Sequence, residues 1–357
     1  MPEEFQEFQE SLEEFPVEES LDPQSWDELR ALGHRMLDDT FRYMQTVREG
    51  PAWQEMPEEV QRRFTGPLPT AGAGAEAVYE EFRRDVMPYP MGNGHPRFWA
   101  WVMGNGTPLG VLSDMLASAV NPNMGGGDHA PNRVEMQTIE WCKEMLGYPA
   151  EASGLLLSGG SMSNLVGLAV ARNVKAGFDV REEGVPASPR RLTIYGSIEM
   201  HSSVQRAVEL LGLGNKSLRA IGVDSEYRID TAALRRAIES DLAAGMKPIC
   251  LVGNAGAVNT GALDPLDELA DIAAEYDMWY HVDGAFGALA YMSPDLRPLL
   301  KGMERADSLA FDLHKWVYVP FEAGCILVRS REAHLQTFTL HPAYLQHAGR
   351  GTAGGPL

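Results

Sequence analysis

From about residue 106 to residue 330 the hydrophobic positions switch repeatedly between two spacings. Short apolar runs at 155–157, 192–195, 218–223, 249–253, 279–282, 308–311 and 325–328 predict strands. Amphipathic stretches fill the gaps between them, clearest at 231–244 and 264–276, and predict helices. Strand and helix in alternation predict an α/β fold, a mostly parallel sheet covered by helices on both faces. Residues 21–105 read differently, as an N-terminal helical segment with a strongly periodic stretch at 27–48 and a loop at 71–75. The first 20 residues form an acidic tail, with glutamates from Glu3 through Glu19, and are expected to be solvated and disordered. Residues 331–357 close the chain.

Composition narrows the classes of function. A chain of 357 residues with 44% hydrophobic content has room for one large domain and a smaller appended one. A net charge of −20 argues against nucleic acid or an anionic membrane as partner, since both demand a basic patch. Nine glutamates and no basic residue precede Arg30, which speaks against a signal or transit peptide, and no apolar run approaches the ~20 residues of a membrane span. Cys142, Cys250 and Cys325 are odd in number, widely spaced and set in apolar contexts, so they are expected to be reduced and buried, as in a cytoplasmic protein. No H-E-x-x-H occurs among the histidines, and His281-Val-Asp283 has no third ligand nearby, so no metal site is expected.

Two of the strand candidates end on chemistry. Met278-Trp-Tyr-His-Val leads into Asp283, and Ser308-Leu-Ala-Phe leads into Asp312-Leu-His314-Lys315. Open α/β sheets place ligand-binding groups at such strand ends. A lysine amine and a carboxylate are the two groups that pyridoxal phosphate requires, one to form a Schiff base and one to keep the pyridine nitrogen protonated. Taken singly, Lys315 also reads as a surface lysine and Asp283 as a strand-end turn former. Phe311 and Trp316-Val-Tyr-Val-Pro-Phe321 surround the lysine with little polar surface, which suits a desolvated amine. A third element is the turn Ser158-Gly-Gly-Ser161-Met162-Ser163-Asn164 between an apolar strand and a helix beginning near Leu165. Backbone N–H groups and hydroxyls there would cradle a phosphate; the alternative is an ordinary turn capped by Ser163 or Asn164. The glycine spacing fits neither a Walker loop nor a Rossmann fingerprint. His201 opens a helix at 202–211 and, by itself, reads as a satisfied core histidine.

In sequence order, His95-Pro-Arg-Phe98-Trp-Ala-Trp101, Glu135-Met-Gln-Thr-Ile-Glu-Trp, Ser158-Gly-Gly-Ser-Met-Ser, His201-Ser-Ser-Val, Asn259-Thr-Gly-Ala-Leu-Asp, His281-Val-Asp283-Gly-Ala285 and His314-Lys315-Trp resemble the group II pyridoxal-phosphate-dependent amino acid decarboxylases. The resemblance spans roughly residues 25–347. It implies a fold type I cofactor domain at 106–330, with 331–357 as the start of a linker toward a C-terminal domain. It also implies decarboxylation of an L-amino acid through a Lys315 Schiff base. Asp283 would pair with the pyridinium nitrogen, His201 would stack on the ring, and Ala285 would pack beneath it. Ser161, Met162, Ser163 and His314 would line the phosphate, with Asp312 close by. Relatives of this kind work as homodimers whose N-terminal segment clasps the partner.

Several positions depart from the family pattern. Ala257 stands where many relatives carry a threonine, and Asp312 where some carry asparagine. The segment Leu340-His-Pro-Ala-Tyr344-Leu would precede a mobile loop with a tyrosine that protonates the carbanion, and no residue here takes that role. A truncated cofactor-binding or inactive chain, or another pyridoxal lyase or aldolase, are the alternatives. Phe98, Trp99 and Trp101 read as core residues more readily than as a substrate pocket, and the substrate is expected to be aromatic or otherwise uncharged.

Overall fold

The computed structural model describes residues 22–125 and 129–340; the acidic stretch from Glu3 to Glu19 and the segment with Tyr344 lie outside them. The chain divides into two compact units, Met1–Phe98 and Trp99–Leu357. Among the described residues of the first unit, α1 (Trp26–Thr46), α2 (Glu58–Arg63) and α3 (Ala75–Asp85) are the α-helices. Ser25 caps α1, accepting from the Glu28 N–H at 3.3 Å, and Asp27 and Glu28 oppose the positive end of the helix dipole. Tyr79 of α3 donates its hydroxyl to Asp39 of α1 at 2.9 Å, which ties the two helices together. Helix occupies less of this unit than its periodicity predicts. Pro51, Pro57, Pro67, Pro69, Pro88 and Pro90 lack the N–H that a helix interior needs and leave the intervening chain in turns and irregular backbone.

In the second unit, α4 (Pro108–Val120) and α5 (Ala130–Met145) precede β1 (Ser153–Leu157), α6 (Gly160–Lys175), α7 (Val180–Glu183), β2 (Leu192–Ser197), α8 (Ser202–Leu210) and β3 (Leu218–Ile221). There follow α9 (Thr231–Ala243), β4 (Lys247–Asn254), α10 (Leu266–Glu275), β5 (Trp279–Asp283), β6 (Ser308–Asp312), α11 (Leu313–Trp316), β7 (Gly324–Val328) and α12 (Arg331–Phe338). All seven strand candidates form, in one sheet of order β1-β7-β6-β5-β4-β2-β3. Only β7 runs against the others.

The sheet splits the core in two. On one face α6 lies across the strands, and Val166, Leu168 and Val170 pack with Ile194, Val252, Trp279, Ala310 and Ile326. On the other, Cys142, Leu146, Leu269 and Ile272 pack with Leu251, Tyr280, Val282, Leu309 and Phe311. Alternation along β5 and β6 follows from the two-residue period of a strand. Trp279, His281 and Asp283 therefore share the α6 face with Ser308, Ala310 and Asp312, and the register sets His281 opposite Ser308. All three cysteines are free and buried.

Candidate active site

The polar groups singled out in the sequence gather at the carboxyl ends of the parallel strands. Asp283 is the last residue of β5 and Asp312 the last of β6, while the turn after β1 leads into α6. This is the edge of an open α/β sheet where ligands bind.

Helix α6 begins at Gly160, five residues earlier than its hydrophobic period predicts. Gly159, at φ 153°, makes the sharp entry, and a Cβ on Gly324 would stand 2.4 Å from Gly159 Cα, so the turn packs directly on β7. No side chain caps α6; the Met162 and Ser163 N–H groups donate to the Gly159 carbonyl at 2.9 and 3.0 Å, which leaves those of Gly160 and Ser161 and the helix dipole to face an anion. Ser163 is buried and donates its hydroxyl to the Gly159 carbonyl at 3.3 Å, whereas Ser161 and Met162 are exposed. A Cβ on Gly160 would meet Asp312 Oδ2 at 2.9 Å and the Ala285 methyl at 3.5 Å. Ala285 and Asp312 thus both border the turn.

Lys315 lies in α11, and its Nζ is 2.9 Å from Asp312 Oδ2. The expectation of an apolar setting needs correction here. A carboxylate accompanies the amine, and Trp316, Val317, Tyr318, Val319 and Phe321 are exposed rather than folded over it. A hydrophobic run in the sequence does not say which face it will meet. Asp312 Oδ1 is buried and has no hydrogen-bond partner among the described residues. His314 is buried, stacks on Phe321 at 4.3 Å between centroids, and accepts the Ala323 N–H on Nδ1 at 3.1 Å. Burial holds its imidazole below the ordinary pKa against the pull of Asp312. Its ring edge stands against Gly159, beside the same turn.

Asp283 is buried and firmly held. Its Oδ1 accepts the Ala285 N–H at 3.1 Å and its Oδ2 accepts Asn164 Nδ2–H at 2.8 Å. Asn164 also donates to Ser203 Oγ at 2.9 Å, and Ser203 is 2.8 Å from Nδ1 of His201, the N-cap of α8. On its other side Asn164 Oδ1 is 2.9 Å from His281 Nε2, and His281 Nδ1 is 2.8 Å from Ser308 Oγ. Burial pushes the His281 pKa down to about 4, so the ring is neutral. Sequence reading reached Asn164 only as a possible cap and passed over Ser203 and Ser308. A polar residue on the apolar stripe of a helix, with Gly167, Leu168 and Ala171 on the same side, was the available signal for Asn164.

Ala257 is buried in the turn after β4 and offers no polar side chain there. Trp99 and Trp101 are 91% and 71% exposed, which overturns their reading as core residues.

An amine, a buried carboxylate on the same sheet edge and a helix N-terminus without a side-chain cap make a set of groups that fits pyridoxal phosphate. Residues 57–354 match the pyridoxal-dependent decarboxylase conserved domain. The chain is 35% identical over 333 residues to an aromatic-L-amino-acid decarboxylase of Bacillus atrophaeus, covering 92% of this chain and 68% of that protein. It is similar in structure to Oryza sativa TDC solved with PLP and tryptamine, with a TM-score of 0.82, 26% identity, and coverage of 92% of this chain and 69% of that one. Catharanthus roseus tryptophan decarboxylase in complex with L-tryptophan matches with a TM-score of 0.79 and 26% identity, over 90% of this chain and 70% of that one. The chain thus spans about two thirds of the length of these relatives. With sequence, sheet order and donor set in agreement, the chain belongs to the pyridoxal-phosphate-dependent amino acid decarboxylases, carboxy-lyases built on the fold type I cofactor domain.

Proposed function

We propose that this chain decarboxylates an aromatic L-amino acid, with Lys315 as the residue that carries the cofactor. The pairing of Lys315 Nζ with a buried strand-end carboxylate, on the same edge as Asp283, carries this reading. When bound, pyridoxal phosphate supplies the electron sink that takes up the electron pair left on Cα as carbon dioxide departs. Lys315 would hold it through its amine and Asp283 through the pyridinium N–H. The first turn of α6, with Ser161, Met162 and Ser163, and His314 would hold the phosphate. His201 would cover one ring face and Ala285 the other.

The chain's own groups prepare this chemistry. Asp312 Oδ2, 2.9 Å from the Lys315 amine, would orient Nζ. Asp283, its two oxygens held by the Asn164 and Ala285 donors, would be oriented toward a cationic ring nitrogen. Exposed Trp99 and Trp101, together with the aromatic substrates in the names of the relatives, support an aromatic side chain on the substrate.

A homodimer is part of the same reading, supported by α4, an apolar helix with no buried residue. Buried free thiols support a cytoplasmic setting, and no helix among the described residues is long and apolar enough to cross a membrane. The test is the visible absorption band of the chain mixed with pyridoxal phosphate, followed by a screen for carbon dioxide release from aromatic, imidazole and acidic amino acids. Lys315→Ala is expected to abolish the band and all release. A band that survives the substitution would move the cofactor to another amine.

A further inference from the structure

Asn164 occupies a position that none of the functional assignments above uses. It is buried in the first turns of α6, and its side-chain amide touches three residues on two other elements at once: Asp283 and His281 of β5 and Ser203 of α8, with His281 in turn meeting Ser308 of β6.

The protons of this network can be placed by elimination. A carboxylate only accepts, so the Asn164 atom 2.8 Å from Asp283 Oδ2 is the NH2 nitrogen; the flipped amide would set an oxygen against a carboxylate. The amide oxygen then faces His281 Nε2, which must carry the ring proton. The neutral His281 ring leaves Nδ1 as an acceptor for the Ser308 hydroxyl, whose oxygen accepts the Trp279 Nε1–H at 2.8 Å. On the opposite side, the second Asn164 N–H is spent on Ser203 Oγ. The Ser203 hydroxyl hydrogen is then free to go to His201 Nδ1, which also accepts the Ser203 backbone N–H at 3.2 Å. His201 must therefore carry its own proton on Nε2. Every hydrogen from the Trp279 indole to His201 has one place to go.

The fold makes room for this arrangement. A Cβ on Gly167, one turn after Asn164, would stand 2.7 Å from His281 Cε1 and 2.8 Å from its Nδ1, so α6 can approach the His281–Ser308 pair only because position 167 is glycine.

We propose that Asn164 is a positioning residue that sets two functional groups together: it orients the Asp283 carboxylate and, through Ser203, fixes His201 as the Nε2–H tautomer. The proposal rests on the assignment of Asp283 and His201 to the cofactor site. It predicts that the two groups lose their settings jointly when Asn164 is removed, whereas loss of Ser203 affects His201 alone.

The experiment follows the visible spectrum, kcat and KM of the pyridoxal-phosphate-loaded chain, and side-chain 15N shifts of histidine-labelled protein, in wild type, Asn164→Ala, Ser203→Ala and Lys315→Ala. Removing Asn164 takes from Asp283 one of its two hydrogen bonds. Asn164→Ala should therefore lower kcat about tenfold, with KM within about threefold, and release His201 from its fixed tautomer. Ser203→Ala should lower kcat by less than about threefold while His201 loses its fixed tautomer. In wild type, both His201 and His281 should give the 15N pattern of Nε2–H. Wild-type kcat in Asn164→Ala, or Nδ1–H at either histidine of the wild type, would overturn the proposal, and the second readout stands even if the variant does not fold. A cofactor band that persists in Lys315→Ala would instead overturn the site assignment beneath it.

Discussion

Asp312 places a negative charge where a phosphate would bind, and the rest of the site has to live with it. In the chain as described, Lys315 neutralises it at 2.9 Å and the second carboxylate oxygen is buried without a partner. If Lys315 holds the aldehyde as proposed, its amine would give up that charge and the compensation would go. Two like charges a few ångströms apart at a partly screened site repel by about 1–4 kcal/mol. Asp312→Asn removes the repulsion and adds an N–H donor, so it should tighten pyridoxal phosphate binding about tenfold. Fluorescence titration of the affinity measures the difference, and an asparagine that weakens binding would show that Asp312 instead holds Lys315 in place. Residues of this kind were legible in part. Lys315, Asp283 and Asp312 could be singled out because a strand that ends on a charged residue is unusual and open α/β sheets bind ligands at that position. Asn164 could not, because an asparagine just after a glycine-serine turn looks like a helix cap until the helix is seen to start before it.

The helix that carries Asn164 also shows where the secondary structure could and could not be read. All seven strands formed within a few residues of their apolar runs, because strands buried on both faces are continuously hydrophobic and their ends are set by polar or glycine residues. The start of α6 was misplaced because glycine and serine favour turns locally, and only the contact of Gly159 with Gly324 of β7 decides that the chain coils at once. Close approach also fixes the cost of altering the middle of this helix. Gly167→Ala raises helix propensity, yet the new methyl has no space beside His281, and overpacking of a closed core costs about 1–3 kcal/mol. Gly33→Ala in α1 meets nothing within 4 Å and should stabilise by up to about 1 kcal/mol through propensity alone. Urea midpoints of the two variants should therefore move in opposite directions, and only Gly167→Ala should weaken cofactor binding. Equal shifts would mean that α6 has slack over β5.

For the molecule as a whole, the surface of the second unit poses the remaining question. Helix α4 is largely apolar, and its pattern alone reads as that of a buried core helix, but Leu109, Leu116 and Val120 are 72%, 63% and 65% exposed. Periodicity tells which residues seek cover and not what supplies it. The N-terminal turn of α4 is built against the loop that follows Lys315: a Cβ on Gly110 would fall 2.5 Å from Pro320, and one on Gly104 would overlap the His314 carbonyl. A second copy packed on α4 would therefore also press on the exposed run Trp316–Phe321 beside the amine and restore the dry setting that the sequence led one to expect there. Each copy carries a charge of −20, so association must overcome repulsion and should tighten as salt is added. Light scattering is expected to give a dimer for the wild type at 0.15 M salt. Leu116→Glu, which puts a charge on the exposed face without touching the core, should give a folded monomer that loses pyridoxal phosphate on dialysis at least tenfold faster. A Leu116→Glu protein that stays dimeric would place the interface elsewhere, whereas a monomer that retains the cofactor as wild type does would show that one chain encloses the site unaided.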